Sequence, residues 1–483
     1  MAFFLATFFG TITCFLIWFQ IGYVVWYLKF LSRPRVAVDF PTTSPLVVQS
    51  PLTPVSGLPR VAVIMCLRGA DPSLKESLLA LQSQVYPNWE LHLVVDSDSD
   101  PALELVAVTL GPDHPAGIHT ISQRTDTASL KCQAINTAIR QLPDEIEYLA
   151  FLDADTICDS LWLLDLISPM IAGETSSPPA ATTGNRWFLV TDNQLASHLR
   201  QIWNAAAIVQ MAIYNIAWGG SFAIAKSALR KTELSNRWSE AFCEDTMLTR
   251  VLSDHQMQLY RVPQLVCSNS ESVGLGSVYH WIVRQLLTVR LYHPRWFLVQ
   301  GHSVVLLTVS LLAPLAAVLC CWNEDWQAAG WIAFAWTCFQ GVNYRLLQEI
   351  ERRNLEILQH RQTDNQRLLF ANSKPLGELA LKSGTEAVAL AEANNKPAPT
   401  PANFPNPADP PRGWTFLLAT LLAQLIHPLA CLQASWATQI SWRGINYRIE
   451  RGNKIRLLEY HPYRQIQPST GQKSCRSSGR SID

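Results

Sequence analysis

The apolar run from Phe3 to Tyr27 constrains this chain more than any other feature, because it is long enough to span a bilayer. No small-residue cleavage site of the signal-peptide kind follows it, so residues 1–35 read as a retained transmembrane anchor. Lys29, Arg33 and Arg35 come next, and the positive-inside rule then places the polar region beyond them in the cytosol, at the cell membrane. Residues 36–58 read as a linker and residues 59–296 as a cytosolic domain ending in an interfacial helix. The stretches Phe297–Trp322 and Trp326–Val342 predict a transmembrane hairpin, residues 297–343. Residues 344–412 begin with helix-forming, mixed-charge sequence and end proline-rich, from Asn394 to Pro411, as a cytosolic insertion. Residues 413–436 form another apolar segment, interrupted by His427 and Pro428, and residues 437–483 a basic tail. Four full spans would put that tail outside, against the charge rule, so residues 413–436 read as transmembrane or re-entrant.

Charge and cysteine content narrow the function. With 38 basic and 38 acidic residues the chain is formally neutral, which gives no polyelectrolyte footprint for nucleic acid. The eleven cysteines are scattered without a Cys-x-x-Cys pair, so neither a disulfide framework nor a zinc site is expected. No tandem repeat is evident.

Within 59–296 the pattern alternates strand and helix. Arg60–Cys66, Trp89–Val95 and Tyr148–Leu152 read as strands, Ser73–Gln84 and Ser129–Gln141 as helices, which predicts an α/β domain with a mostly parallel sheet. Asp96 and Asp153 both follow apolar strands, at the edge where such sheets bind ligands. Tyr148-Leu-Ala-Phe-Leu-Asp-Ala-Asp-Thr156 ends in two carboxylates one residue apart, suited to a divalent cation, Mn²⁺ or Mg²⁺, carrying a substrate diphosphate. An isolated Asp-x-Asp is more often a turn. A third acidic element, Cys243-Glu244-Asp245, opens a helix, where carboxylates also complement the macrodipole.

The ordered set Cys66-Leu-Arg-Gly-Ala-Asp71, Tyr86-Pro-Asn-Trp-Glu90, Val94-Val-Asp-Ser-Asp-Ser-Asp-Pro-Ala102, Lys131, Asp153-Ala-Asp155 and Cys243-Glu-Asp245 resembles the membrane glycosyltransferases of families 2 and 21. Those include ceramide glucosyltransferase and bacterial glucosyltransferases that act on hopanoids and other lipids. The resemblance implies a GT-A fold, Rossmann-like and nucleotide-sugar-binding, and transfer of a hexose, glucose first, from a UDP-sugar donor to a membrane lipid acceptor with inversion. It assigns Asp96 to the uracil and ribose side, Asp155 to the metal, Asp153 to metal and sugar, Asp245 to the catalytic base and Glu244 to orienting the acceptor or that base. Arg68 and Lys131 fall with the donor-binding set. Trp218-Gly219-Gly220-Ser221 matches the family's Gly-rich acceptor loop, although a plain tight turn explains the glycines equally well.

The chain departs from the family at the Gln/Arg-x-x-Arg-Trp motif. Arg284-Gln-Leu-Leu-Thr-Val-Arg290 occupies the place, without the Arg-Trp pair. Arg284, Gln285 and Arg290 are candidates for the donor diphosphate, or equally for anchoring a helix to headgroups. Ile440-Ser-Trp-Arg-Gly-Ile-Asn-Tyr447 resembles the Trp-Arg-Gly-x-x-Tyr ending of bacterial members, with Trp442 and Tyr447 at headgroup level. A polysaccharide synthase and a catalytically silent scaffold are the alternatives.

Overall fold

The computed structural model describes residues 1–36, 57–111, 114–172, 178–380 and 413–463. The linker at 36–58 falls almost wholly outside them, as do the proline-rich stretch and the end of the tail. Helix α1 (Ala2–Leu31) precedes a sheet domain built in the order β1 (Arg60–Leu67), α2 (Leu74–Gln82), β2 (Trp89–Val95), α3 (Ala102–Leu110), β3 (Gly117–Thr120), α4 (Leu130–Gln141), β4 (Ile146–Leu152) and α5 (Trp162–Ile171). It continues through β5 (Ala181–Phe188), α6 (Leu195–Tyr214), β6 (Ser221–Ala225), α7 (Lys226–Lys231), α8 (Leu234–Trp238), α9 (Glu244–Asp254), β7 (Leu259–Asn269) and α10 (Leu275–Tyr292). The seven strands pair in the order β3-β2-β1-β4-β6-β5-β7. Strands β1 to β4 run parallel, and β6 is antiparallel to both its neighbours.

Strand alternation builds the core. Val61, Val63 and Met65 of β1 pack into one cluster, and Ala62 and Ile64 into another on the opposite face. Burial on both faces is why these strands read as continuous apolar runs rather than alternating ones. At the end of β4, Asp153 N–H donates to Gly220 O at 3.2 Å and Thr156 N–H to Asp153 O at 3.1 Å, so the acidic pair sits in a tight turn at the sheet edge.

After α10 the chain forms a bent helix, α11 (Trp296–Trp322), a short turn, and the long helix α12 (Trp326–Ala380). The π-helical segment Thr308–Leu312 lies immediately before Pro314, whose missing N–H removes one ladder bond. Helix α12 does not stop near Val342 but runs on along the sheet domain. There Arg361 pairs with Asp159 and Asp165 of the α5 region. Helix α13 (Trp414–Trp436) is unbroken at Pro428, contrary to the sequence reading. Its neighbour His427 is tied down by Trp203 Nε1, which donates to Nδ1 at 3.2 Å, and by Ser303 Oγ, 3.0 Å from Nε2. By length and composition α1, α11 and α13 are each able to cross a membrane.

The described residues end in a small antiparallel sheet, β8 (Gln439–Trp442), β9 (Ile445–Ile449) and β10 (Ile455–Glu459). It packs on the sheet domain: Leu457 N–H donates to Asp126 O at 2.6 Å and Leu130 N–H to the Tyr447 hydroxyl at 3.3 Å. The described part of the tail therefore lies on the same side as that domain. Tyr447 is fully buried there against the sheet domain.

Candidate active site

The sheet edge gathers the acidic motifs around one lysine. Ser129 caps α4 by accepting from Cys132 N–H, and the first turn then aims Lys131 into the edge. Its ammonium lies 2.6 Å from Asp153 Oδ1 and 2.6 Å from Glu244 Oε1, and it donates to Gly219 O at 3.4 Å. Burial opposes the Lys131 charge, but Asp153 and Glu244 together hold its pKa well above the ordinary lysine value. Burial pushes the Glu244 carboxyl up to about 7, with Lys131 opposing and Asp245 and Asp153 adding to the rise.

Asp245 is held differently. Its Oδ2 accepts from Gly219 N–H at 2.8 Å, and its Oδ1 from Thr246 N–H at 2.5 Å and from the Cys243 thiol at 2.5 Å. The reason for the Gly-Gly pair is close approach rather than an unusual backbone angle. A Cβ at Gly219 would lie 2.2 Å from Glu244 Oε1, and one at Gly220 would lie 2.2 Å from the Trp218 ring. Neither glycine has a positive φ.

The structure divides the two carboxylates that the sequence placed on one metal ion. Asp153 is committed to Lys131. Asp155 instead faces Asp71, after β1, and Glu271, after β7, with one oxygen of each within 4.8 Å of the others. Burial, reinforced by Asp153, raises the Asp155 pKa; burial, then Asp155 and Asp71, pushes Glu271 up to about 7. Three converging carboxylates fit a hard divalent cation such as Mn²⁺ or Mg²⁺.

Of the remaining candidates, Arg68 and Asp96 are paired with each other, and burial raises the Asp96 pKa against the pull of Arg68. The second Asp96 oxygen, Oδ1, is buried with no partner. Arg284 lines the site, its guanidinium 5.1 Å from the centre of the Trp442 ring; burial and then Arg186 bring its pKa down to about 10. Gln285 lines it too. Arg290 does not: it donates to Ala434 O at 2.7 Å and Ala437 O at 2.8 Å, capping the end of α13. The C-terminal carbonyls of a helix have no partners of their own, and a guanidinium on the neighbouring helix satisfies them.

The sequence assigns no role here to Asp71, Glu271 or Arg186. Asp71 ends a motif that was noticed, whereas Glu271 carries no local signal, being brought in only by the pairing of β5 with β7.

Two cavities meet at this edge. One, of about 320 Å³, is lined by Asp96, Lys131, Asp153, Asp155 and Glu244. The other, of about 150 Å³, runs between helices and is lined by Gln20, Trp203, His302, Leu306, Leu347 and His427. Arg186, Trp218, Asp245, Gln285 and Thr288 line both.

A domain of this kind, with a parallel-rich sheet presenting carboxylates at one edge, is a GT-A glycosyltransferase domain. The family model for glycosyl transferase family 21 matches residues 21–363, and the chain belongs to that family. No curated protein matches the sequence. Among solved structures, the chain is similar to the mannosyltransferase PcManGT from Pyrobaculum calidifontis, in complex with GDP-Man and Mn²⁺. Identity is 17%, coverage 89% of this chain and 99% of that one, and the TM-score 0.38. It is also similar to glucosyl-3-phosphoglycerate synthase from Mycobacterium tuberculosis, in complex with Mn²⁺, UDP and glucosyl-3-phosphoglycerate. There identity is 11%, coverage 53% and 88%, and the TM-score 0.33.

Proposed function

We propose that this family 21 member is an integral membrane, inverting hexosyltransferase that moves glucose from a UDP-sugar to a hydroxyl of a membrane lipid. The observation that carries this reading is the position of Asp245 on the wall shared by a charged cavity and a cavity between apolar helices. A water-soluble nucleotide sugar suits the first, and a lipid arriving sideways from the bilayer suits the second.

In this reading Asp245 takes the proton of the acceptor hydroxyl as the acceptor oxygen bonds to the anomeric carbon and the bond from that carbon to the diphosphate breaks. Gly219 N–H, Thr246 N–H and the Cys243 thiol fix the carboxylate beforehand, leaving little to reorganise. Lys131 holds Asp153 and Glu244 in place, and Asp153 faces the sugar. A divalent ion bound by Asp71, Asp155 and Glu271 supplies charge neutralisation for the departing diphosphate. Asp96 and Arg68 receive the nucleoside. The basic residues after α1 support a cytosolic catalytic domain on an enzyme of the cell membrane. Helix α13, whose end feeds the tail back onto that domain, then lies in the interface as a re-entrant or interfacial element.

The test is transfer of labelled sugar from UDP-glucose, with UDP-galactose, UDP-N-acetylglucosamine and GDP-mannose in parallel, by membranes carrying the parent protein or Asp245→Asn. Metal-dependent label in organic-extractable lipid, absent in the variant, supports the proposal. Label confined to insoluble polymer contradicts it in favour of a polysaccharide synthase, and no label in any fraction contradicts it in favour of a scaffold.

A further inference from the structure

Helix α10 lacks an Arg-Trp pair, but a Trp-Arg pair reaches the same cavity from the far end of the chain. Strands β8 and β9 are joined by a two-residue turn, Arg443 and Gly444, with φ of 47° and 75°. Both values lie in the left-handed region, as a tight hairpin turn requires, and a non-glycine residue there is uncommon. The turn drives the tip of the hairpin against the sheet edge. Trp442 stands beside Phe242, ring centroids 5.7 Å apart, and beneath the Arg284 guanidinium. The Arg443 guanidinium donates to Arg68 O at 3.0 Å and to Asp71 Oδ2 at 3.2 Å, while Arg443 O accepts from Arg68 Nε at 3.1 Å. Tyr447 pins the other strand by accepting from Leu130 N–H and packing edge-on to Phe242.

We propose that Arg443, delivered by this hairpin, binds the diphosphate of the donor, with Trp442 supporting Arg284 beside it. The inference rests on the nucleotide-sugar reading of the cavity given above. Arg443 touches the Asp71, Asp155 and Glu271 cluster through Asp71, and Arg200 touches it from the other side through Glu271, 3.6 Å away. Two of its five N–H donors have protein acceptors, so a planar fork remains to be matched to phosphate oxygens. A divalent ion on the three carboxylates relieves Arg443 of neutralising them and leaves the guanidinium facing whatever anion that ion carries. The αL backbone at Arg443 is then the cost of aiming one long side chain, from residues beyond the family 21 match, into a site built some 300 residues earlier in the chain.

The proposal makes opposite-signed demands on one substitution. The full-length protein in detergent, with Arg443→Ala and Arg443→Lys, is titrated with Mn²⁺ alone, read by electron paramagnetic resonance, and with UDP in the presence of Mn²⁺, read by calorimetry, with GDP in parallel. Loss of a charge-assisted contact predicts UDP affinity about tenfold or more lower in Arg443→Ala, and intermediate in Arg443→Lys. Affinity for Mn²⁺ alone stays equal or rises, because a competing cation has left Asp71. UDP affinity within twofold of the parent in Arg443→Ala overturns the proposal. So does a parallel fall in Mn²⁺ and UDP affinity, which marks a merely structural hairpin. A parent protein that binds neither nucleotide overturns the donor-site reading itself, and this inference with it.

Discussion

Arg361 and Lys131 are each a buried cation held between two carboxylates, yet their surroundings differ in kind. Arg361, 2% exposed, meets Asp159 and Asp165, and its remaining reach is taken by Gln264 O at 3.0 Å. With Arg35 3.9 Å from Asp165 as a second cation, the two acids are fully matched, and they fasten α12 to the sheet domain. Lys131, 17% exposed, meets Asp153 and Glu244 among further acids that it cannot neutralise. Along the two cavities that meet there, Asp96 Oδ1, Thr246 Oγ1 and Asn185 Nδ2 are buried without partners among the described residues. A saturated ion cluster is a clamp. An unsaturated one, opening on a cavity, is a place where a ligand completes the bonding.

A graded set of substitutions separates the two clusters. The largest effect falls on Asp245→Asn, which keeps the shape but loses the base: transfer rate drops by about 10²- to 10⁴-fold in a single-turnover assay, with a stability loss of about 1–3 kcal/mol because the amide nitrogen faces either Gly219 N–H or Thr246 N–H, which then lacks an acceptor. Arg361→Ala is next. It leaves part-buried Asp159 without an ion pair and buried Asp165 with only Arg35, 3.9 Å away, so denaturant unfolding is expected to show a loss of about 3–5 kcal/mol while surviving folded enzyme turns over normally. Lys131→Ala should invert that pattern, losing transfer more completely than stability, because Glu244 already sits with its pKa at about 7 and can take up a proton. If both substitutions cost stability and activity in the same proportion, the division into clamp and site is wrong.

Glu351 gives a smaller, pH-dependent check away from the site. It accepts a hydrogen bond from Gln201 where α12 passes α6, and burial pushes its pKa from 4.5 up to about 7. The folded state thus binds this proton more tightly than the unfolded state, and stability drains away as pH rises from the unfolded pKa through the folded one. Glu351→Gln, which cannot ionise, is expected to match the parent at pH 5 and exceed it by about 1–3 kcal/mol at pH 8. A difference independent of pH would show that Glu351 is not ionising in the folded protein.

Local signals were legible and long-range ones were not. The strand Trp89–Val95 was readable to the residue and α4 to within one, because each carries its periodicity and its caps in adjacent positions. The acidic motifs at Asp96, Asp153 and Glu244 were visible for the same reason, each ending a strand or opening a helix. The partition of Asp153 to Lys131 and of Asp155 to Asp71 and Glu271 was not, since it depends on how three loops converge. The capping role of Arg290 needed the position of α13, and the Arg361 clamp joins residues 196 and 202 apart in sequence. The glycines at 219 and 220 looked like a turn because the close approach of Glu244 and of the Trp218 ring leaves no trace in the local sequence.

In the proposed enzyme a lipid reaches Asp245 through the cavity between the helices while the donor occupies the charged one. Ala207 of α6 lines the first cavity and not the second, so Ala207→Trp fills the lipid route alone. UDP binding in the presence of Mn²⁺ and sugar transfer to lipid are measured side by side on the parent and this variant. The account predicts unchanged nucleotide affinity with transfer lowered on the order of 100-fold. Full transfer with the cavity filled would contradict it.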